Sequence, residues 1–171
     1  SSVDQTVRIW DDRTSGKAVS EWKLHDCDIN VLSWNRPMPF LLATGGDDGS
    51  LRVWDMRMLS SSQSSAPVAT FDWHKAAITG LEWHPTDSSV LAATGADDQL
   101  TVWDLAVERD TQQLVKDGGK VEDEVDQVPA QLLFIHQGQS DMKELHWHPQ
   151  LPGTIVSTAG DSFNIFRTIS V

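Results

Sequence analysis

The 171-residue chain has no tyrosine and one cysteine, Cys27, and it is short of positive charge: 13 Lys and Arg stand against 25 Asp and Glu, for a formal net charge of −12. A single cysteine excludes an internal disulfide and fits a reducing compartment. Scarce bases argue against direct sequence-specific nucleic-acid binding, because phosphate contacts need Lys and Arg. The charge favours basic proteins as partners. No apolar run approaches the roughly 18 residues of a membrane span, and no charged start leads into an apolar stretch as in a signal peptide. No membrane partner is expected.

Catalytic signatures are missing too. There is no GxSxG, GxxxxGK or GxGxxG. Cys27 lies between Asp26 and Asp28, which should raise its thiol pKa and disfavour a reactive thiolate. His146 and His148 form an H-x-H pair, with His84 in a parallel place, but no third or fourth ligand completes a zinc set. The residues predict no enzyme, no catalytic group, no cofactor and no metal.

What the chain has in excess is tryptophan, eight residues in all, and the excess is positional. SVDQTVRIWD (2–11), GDDGSLRVWD (46–55) and GADDQLTVWD (95–104) are copies of one string. AGDSFNIFR (159–167) is a weaker fourth, with Phe166 in the Trp place. His25 precedes Trp54, and His74 precedes Trp103, by 29 residues, while His136 precedes Phe166 by 30. Apolar and polar residues alternate at period 2 in 6–10, 29–34 and 78–83, as in half-buried strands. Residues 40–44 and 90–94 are nearly continuous apolar runs, as in inner strands. Strands are expected at about 6–10 and 18–23; 29–34, 40–45, 50–54 and 67–72; 78–83, 89–94, 99–104 and 131–135; and 142–147, 154–158 and 163–168. Four short strands per Trp-Asp unit is the pattern of propeller blades.

On these motifs the chain resembles the WD-repeat family over nearly its whole length. The resemblance implies an all-β fold: residues 1–171 as part of a single WD-repeat β-propeller, the carboxyl-terminal piece of a seven-bladed parent, with two complete and two partial blades. Upstream blades of the parent chain are then themselves partners. It also implies a structural tetrad of His, Ser or Thr, Asp and Trp in each unit: His25, Ser33, Asp48 and Trp54 in one, and His74, Asp97 and Trp103 in the next, with Glu82 in the Ser place. In the last unit His136 stays, His146 takes the Ser place and Gly160 the Asp place, with Asp161 one residue late. A buried turn Asp needs partners, and His and Trp N–H groups supply them.

Two insertions interrupt the pattern. Ser60–Ser65 is a polar Ser-rich loop. Residues 105–130 carry seven acids and three bases. With their flank 128–138 they resemble the acidic loop of the histone-binding subfamily of WD-repeat proteins, where it helps clamp a basic helix. Residues 103–171 are similar to a glutamate-rich, nuclear and nucleolar branch of that subfamily. The resemblance therefore implies a binding platform and chaperone for basic nuclear proteins, histones first and a basic ribosomal protein second, in chromatin or ribosome assembly. Glu122, Asp123, Glu124, Asp126 and Asp117 are the candidate partner-binding acids. Asp26, Asp28, Asn30 and Trp73 are candidates on the narrow face. Two other classes stay open. Trp-Asp followed by x-Arg, at Asp11–Arg13 and Asp55–Arg57, resembles a short motif often carried by substrate receptors of cullin-type ubiquitin ligases; the third class is a purely structural scaffold.

Overall fold

The structure is a computed structural model and describes residues 3–13, 16–60, 66–108 and 128–168. The candidate acids Asp117, Glu122, Asp123, Glu124 and Asp126 lie outside these residues, as do positions 61–65 of the Ser-rich insertion.

Thirteen strands and one short helix are described. β1 (Thr6–Ile9) and β2 (Ser20–Lys23) pair alone. β3 (Ile29–Trp34), β4 (Leu41–Gly46), β5 (Leu51–Asp55) and β6 (Ala69–Phe71) form the second sheet, and α1 (Met56–Ser60) follows β5. The third sheet holds β7 (Ile78–Trp83), β8 (Val90–Gly95), β9 (Gln99–Asp104) and β10 (Leu132–Gln137). The fourth holds β11 (Met142–Trp147), β12 (Thr154–Ala159) and β13 (Phe163–Arg167). Every pairing is antiparallel between consecutive strands, so each sheet is a meander. The second and third sheets have four strands, the first two and the last three, matching the expected blade pattern.

The strand content follows from burial. β4 and β8 are central and covered on both faces, and they read as unbroken apolar or small residues. The edge strands β3 and β11 alternate, as expected where one face meets solvent. A register shift recurs near the start of β3, β7 and β11, at Ile29/Val31, Ile78/Gly80 and Met142/Glu144. The repeat therefore includes a bulge that periodicity alone does not show.

Each core cluster lies between two successive sheets. Val7 and Leu24 pack with Ile29, Leu42, Trp54 and Met56. Leu51, Val53 and Phe71 pack with Ile78, Trp83, Leu91 and Trp103. Val90, Leu100 and Val102 pack with Met142, Leu145, Trp147 and Ile155. Face-to-face stacking of small meanders is how a propeller buries its apolar surface. On β13 the alternate residues Phe163 and Ile165 are 68% and 64% exposed.

Two details depart from the sequence expectation. α1 replaces the start of the polar loop, and β10 runs to Gln137, which carries His136 into a strand. Gly49 has φ +83° in the β4–β5 turn, and a Cβ there would lie 2.6 Å from the His74 carbonyl oxygen. Only glycine combines that conformation with so close an approach to the next sheet.

Candidate protein-binding surfaces

The His, Thr and Trp residues of the repeat are buried and bonded to one another, while the turn acid Asp97 is half-buried and Asp48 exposed. In the second sheet, Trp54 Nε1–H donates to Thr44 Oγ1 at 2.9 Å, and His25 Nε2 lies 2.7 Å from the same oxygen. In the third, Trp103 Nε1–H donates to Thr101 Oγ1 at 2.8 Å, and His74 Nε2 lies 2.9 Å from it. His74 Nδ1 lies 2.9 Å from Asp97 Oδ1, and Asp97 Oδ2 accepts the Lys75 N–H. A carboxylate only accepts, so His74 Nδ1 carries the proton shared with Asp97. Among the described residues no buried side-chain polar atom lacks a partner. Such groups hold the turns of each blade.

The hydroxyl of the second sheet is therefore Thr44, and Ser33 is elsewhere. Ser33 Oγ accepts the Trp83 backbone N–H at 3.3 Å, and its carbonyl accepts Trp83 Nε1–H at 3.1 Å. Glu82 does the same one sheet later, taking the Trp147 N–H on Oε2 at 3.0 Å and Trp147 Nε1–H on its carbonyl at 3.2 Å. Both positions face the neighbouring sheet, so they bind blade to blade. The last sheet is corrected as well. His136 stacks on Phe166 with ring centroids 4.2 Å apart, and Gln139 takes its expected place. Gln139 Oε1 accepts the Ser157 hydroxyl, and its Nε2–H donates to Ser162 Oγ at 3.3 Å. Asp161 accepts from Ser140 N–H and Ser162 O–H. His146 stands beside Glu82, its Nδ1 3.3 Å from Oε2. His84 and His148 accept backbone N–H groups of the turns that follow them.

Burial lowers the pKa of His25 to about 4, with Arg52 nearby adding to the effect. Burial also lowers His84 and His136. For Asp48 burial pushes upward but is outweighed by the Ser50 O–H and N–H donors, leaving the carboxyl below its ordinary value. The Cys27 thiol is raised, first by burial; the Asp48 backbone N–H works against this, and the Asp48 carboxylate adds to it, while Asp26 and Asp28 are not the cause.

Outside these networks a groove of about 1000 Å³ lies between the outer parts of the second and third sheets. Phe71, Leu105, Val128 and Pro129 supply apolar wall, Asp72 and Glu108 acid, and Lys75 a base among the described residues of the lining. Trp73 lines it too: it packs against the core beneath and donates its indole N–H to Gln99 Oε1 at 3.2 Å. Glu108 and Val128, both in the wall, belong to the two ends of the acidic insertion and are its last described residues on either side of positions 109–127.

The other narrow-face candidates do not join Trp73 there. Asp26 is exposed, beside Lys23 at 3.7 Å, and its carbonyl accepts Gln5 Nε2–H. Asp28 gives its carbonyl to Asp47 N–H. Asn30 reaches Asp47 Oδ1 and the Ile78 carbonyl, and it lines a shallower depression of about 390 Å³ across β3, β7 and β11. In both Asp-x-Arg motifs the arginine is forked onto its own aspartate, Arg13 on Asp11 and Arg57 on Asp55, and Arg57 also lies over the Phe40 ring at 3.6 Å.

A family model described as "WD domain, G-beta repeat" matches residues 16–55 and 65–104. The chain is 49% identical over 172 residues to "Ribosome assembly protein rrb1" of Schizosaccharomyces pombe, a match covering 99% of this chain and 35% of that protein. It is 48% identical over 63 residues to "Glutamate-rich WD repeat-containing protein 1" of Dictyostelium discoideum, covering 37% of this chain and 13% of that one. The chain thus spans about a third of the first relative's length. A chain of the solved structure "Crystal Structure of Mitotic Checkpoint Complex" superposes on 98% of this chain and 44% of its own length with a TM-score of 0.73 at 24% identity, a likeness of fold. The chain therefore belongs to the WD-repeat family, and its sheets are blades of a β-propeller.

Proposed function

We propose that this part of the propeller is a non-enzymatic docking platform and chaperone for basic nuclear proteins, histones first and a basic ribosomal protein second. The observation that carries this reading is the groove between the second and third sheets: its wall contains both ends of the acidic insertion together with Trp73 and an apolar strip. Acids steer a cationic partner within a range of about 8–10 Å in physiological salt and speed its association. Each exposed ion pair adds only about 0–1 kcal/mol, so affinity needs an apolar anchor, which the half-buried Trp73 supplies. Carboxylates on the basic surface shield it from non-specific nucleic acid until it is delivered. The likeness to a ribosome assembly protein supports a place in assembly, and with it a nuclear, nucleolar location. The exposed Phe163 and Ile165 support a further blade of the same protein as cover for β13.

The test is a salt series. In the intact protein, Glu122, Asp123, Glu124 and Asp126 are replaced by neutral residues, and affinity for core histones and for a basic ribosomal protein is measured. Weaker binding with a flatter salt dependence is expected. Unchanged affinity at every salt concentration removes the insertion from the mechanism and leaves the scaffold reading. The ligase-receptor reading gains no support from geometry, since Arg13 and Arg57 are already held by their own aspartates; capture of a ligase adaptor in place of basic cargo would favour it.

A further inference from the structure

The second and third sheets share the same His and Asp, yet the pair is arranged differently. In the third, His74 Nδ1 and Asp97 Oδ1 are in direct contact at 2.9 Å. In the second, Asp48 Oδ1 is turned to Ser50, accepting its O–H at 2.7 Å and its N–H at 2.9 Å. Two residue changes accompany the opening. Cys27 stands where the third sheet has Ala76, and Ser50 where it has Gln99. The thiol enters the gap, with Sγ 4.0 Å from His25 Nδ1. A Cβ placed on Gly46 would lie 2.6 Å from Asp48 Oδ1, 2.8 Å from Cys27 Sγ and 3.0 Å from His25 Nδ1, so three donor atoms converge on one small volume. All three lie within 4.8 Å of one another.

We propose that His25 Nδ1, Cys27 Sγ and a carboxylate oxygen of Asp48 form a binding site for a divalent transition-metal ion of the zinc type, which clips the β4–β5 turn to the loop before β3. One imidazole, one thiolate and one carboxylate form a borderline-soft set that suits Zn²⁺ and disfavours Mg²⁺ or Ca²⁺. Ligand atoms around tetrahedral zinc are about 3.3–3.8 Å apart; the Sγ–Nδ1 distance of 4.0 Å needs to close by only a few tenths of an ångström, and spacings of up to 4.8 Å by about 1 Å through side-chain rotation. Ser50 Oγ, 3.4 Å from His25 Nδ1, marks the side on which that hydroxyl or a water completes four ligands. The second layer fits as well. With the metal on Nδ1, Nε2–H donates to Thr44 Oγ1 at 2.7 Å, and the Thr44 hydroxyl turns to the Arg52 carbonyl at 3.4 Å; such a bond fixes the ring for coordination. Binding displaces the Cys27 thiol proton to solvent, and the exposed Asp48 side opens a route for the ion. The sequence expectation of no metal rested on His146, His148 and His84; this cluster joins residues from two separated loops.

Cobalt(II) titration of the intact protein tests it, with Zn²⁺ as competitor. One equivalent of Co²⁺ should give a thiolate-to-metal charge-transfer band that Zn²⁺ abolishes. Cys27→Ala should remove the band while the protein stays folded, because the third sheet already carries alanine at that place. Asp48→Asn should weaken Zn²⁺ binding about tenfold or more, since loss of even an outer-layer partner costs that much. A band that survives in Cys27→Ala, or no thiolate band at saturating Co²⁺ in the parent, overturns the site and leaves a thiol hydrogen-bonded to Asp48.

Discussion

Thr44 on β4 and Thr101 on β9 put a hydroxyl at the same node of successive sheets from opposite strands. Thr44 is paired across the ladder with Arg52, and Thr101 with Ala93. The hydroxyl thus changes strands between repeats while the His and Trp that meet on it keep their places. What repeats is the bonded node, and either member of the cross-strand pair can fill it.

Removing that hydroxyl has a predictable cost. Thr44→Ala leaves the buried Trp54 N–H without its acceptor and should lower stability by about 1–3 kcal/mol, read from urea midpoints of the intact protein. Adding Arg52→Thr moves the hydroxyl to the strand it uses in the third sheet and should restore part of the loss. A double variant no more stable than Thr44→Ala alone would mean that the strands are not interchangeable.

Acid should weaken the fold in two separate windows. The folded pKa of His25 is about 4, below the 6.5 of a free histidine, so between these values the unfolded chain binds the extra proton. Stability is full above about pH 6.5 and falls as pH drops toward 4, by up to about 1.4 kcal/mol per pH unit for each proton taken up. His84 and His136, lowered in the same direction, act in the same window below 6.5. Asp48, with its pKa lowered, loses its contribution only as pH falls below the ordinary carboxylate value. Urea midpoints measured from pH 7.5 to 4.5 should drop, and His25→Gln should flatten the curve. A flat parent curve would contradict the burial of these rings.

The blade-to-blade bonds should respond to removal of single acceptors. Glu82→Ala strips the Trp147 N–H of its carboxylate partner and should cost about 1 kcal/mol. Glu82→Gln keeps an oxygen in place and should cost less. Thermal melts of the two variants give the comparison, and equal midpoints would show that water replaces Oε2 without loss.

Anchor and field should separate in binding data. Trp73→Ala should weaken basic cargo by about 2 kcal/mol, roughly thirtyfold, as for a buried aromatic anchor, with the salt slope unchanged. Neutralising the insertion should change the slope. Trp73→Phe, which keeps the apolar contact and drops only the bond to Gln99, should bind nearly as the parent does. If Trp73→Ala binds with parental affinity, the ring serves only to cover the junction between the second and third sheets.

The sheets were readable in the chain because strand signals are local. Alternation over 29–34 and 78–83, apolar runs at 40–44 and 90–94 and turn residues at 45–49 each span a few positions, and the strands fall within about two residues of where these put them. The polar network was read less well. Ser33 has the right chemistry for the tetrad but projects toward Trp83 of the next sheet. His136 has the expected spacing, but β10 carries it onto Phe166, and Gln139, with no signal of its own, takes the vacated role. The one available pointer to the His25, Cys27 and Asp48 cluster was the replacement of Ala76 by Cys27 between repeats.

The amino-acid order alone determined the strand alternation, the repeat and the excess of negative charge, since each follows from near neighbours and from composition. The folded chain decided which hydroxyl meets which ring, which residues link one blade to the next, and that the ends of the acidic insertion share a groove with Trp73. Those outcomes depend on register, on the bulge near the start of β3, β7 and β11 and on sheet-to-sheet stacking. These relations join residues tens of positions apart, and no local pattern encodes them.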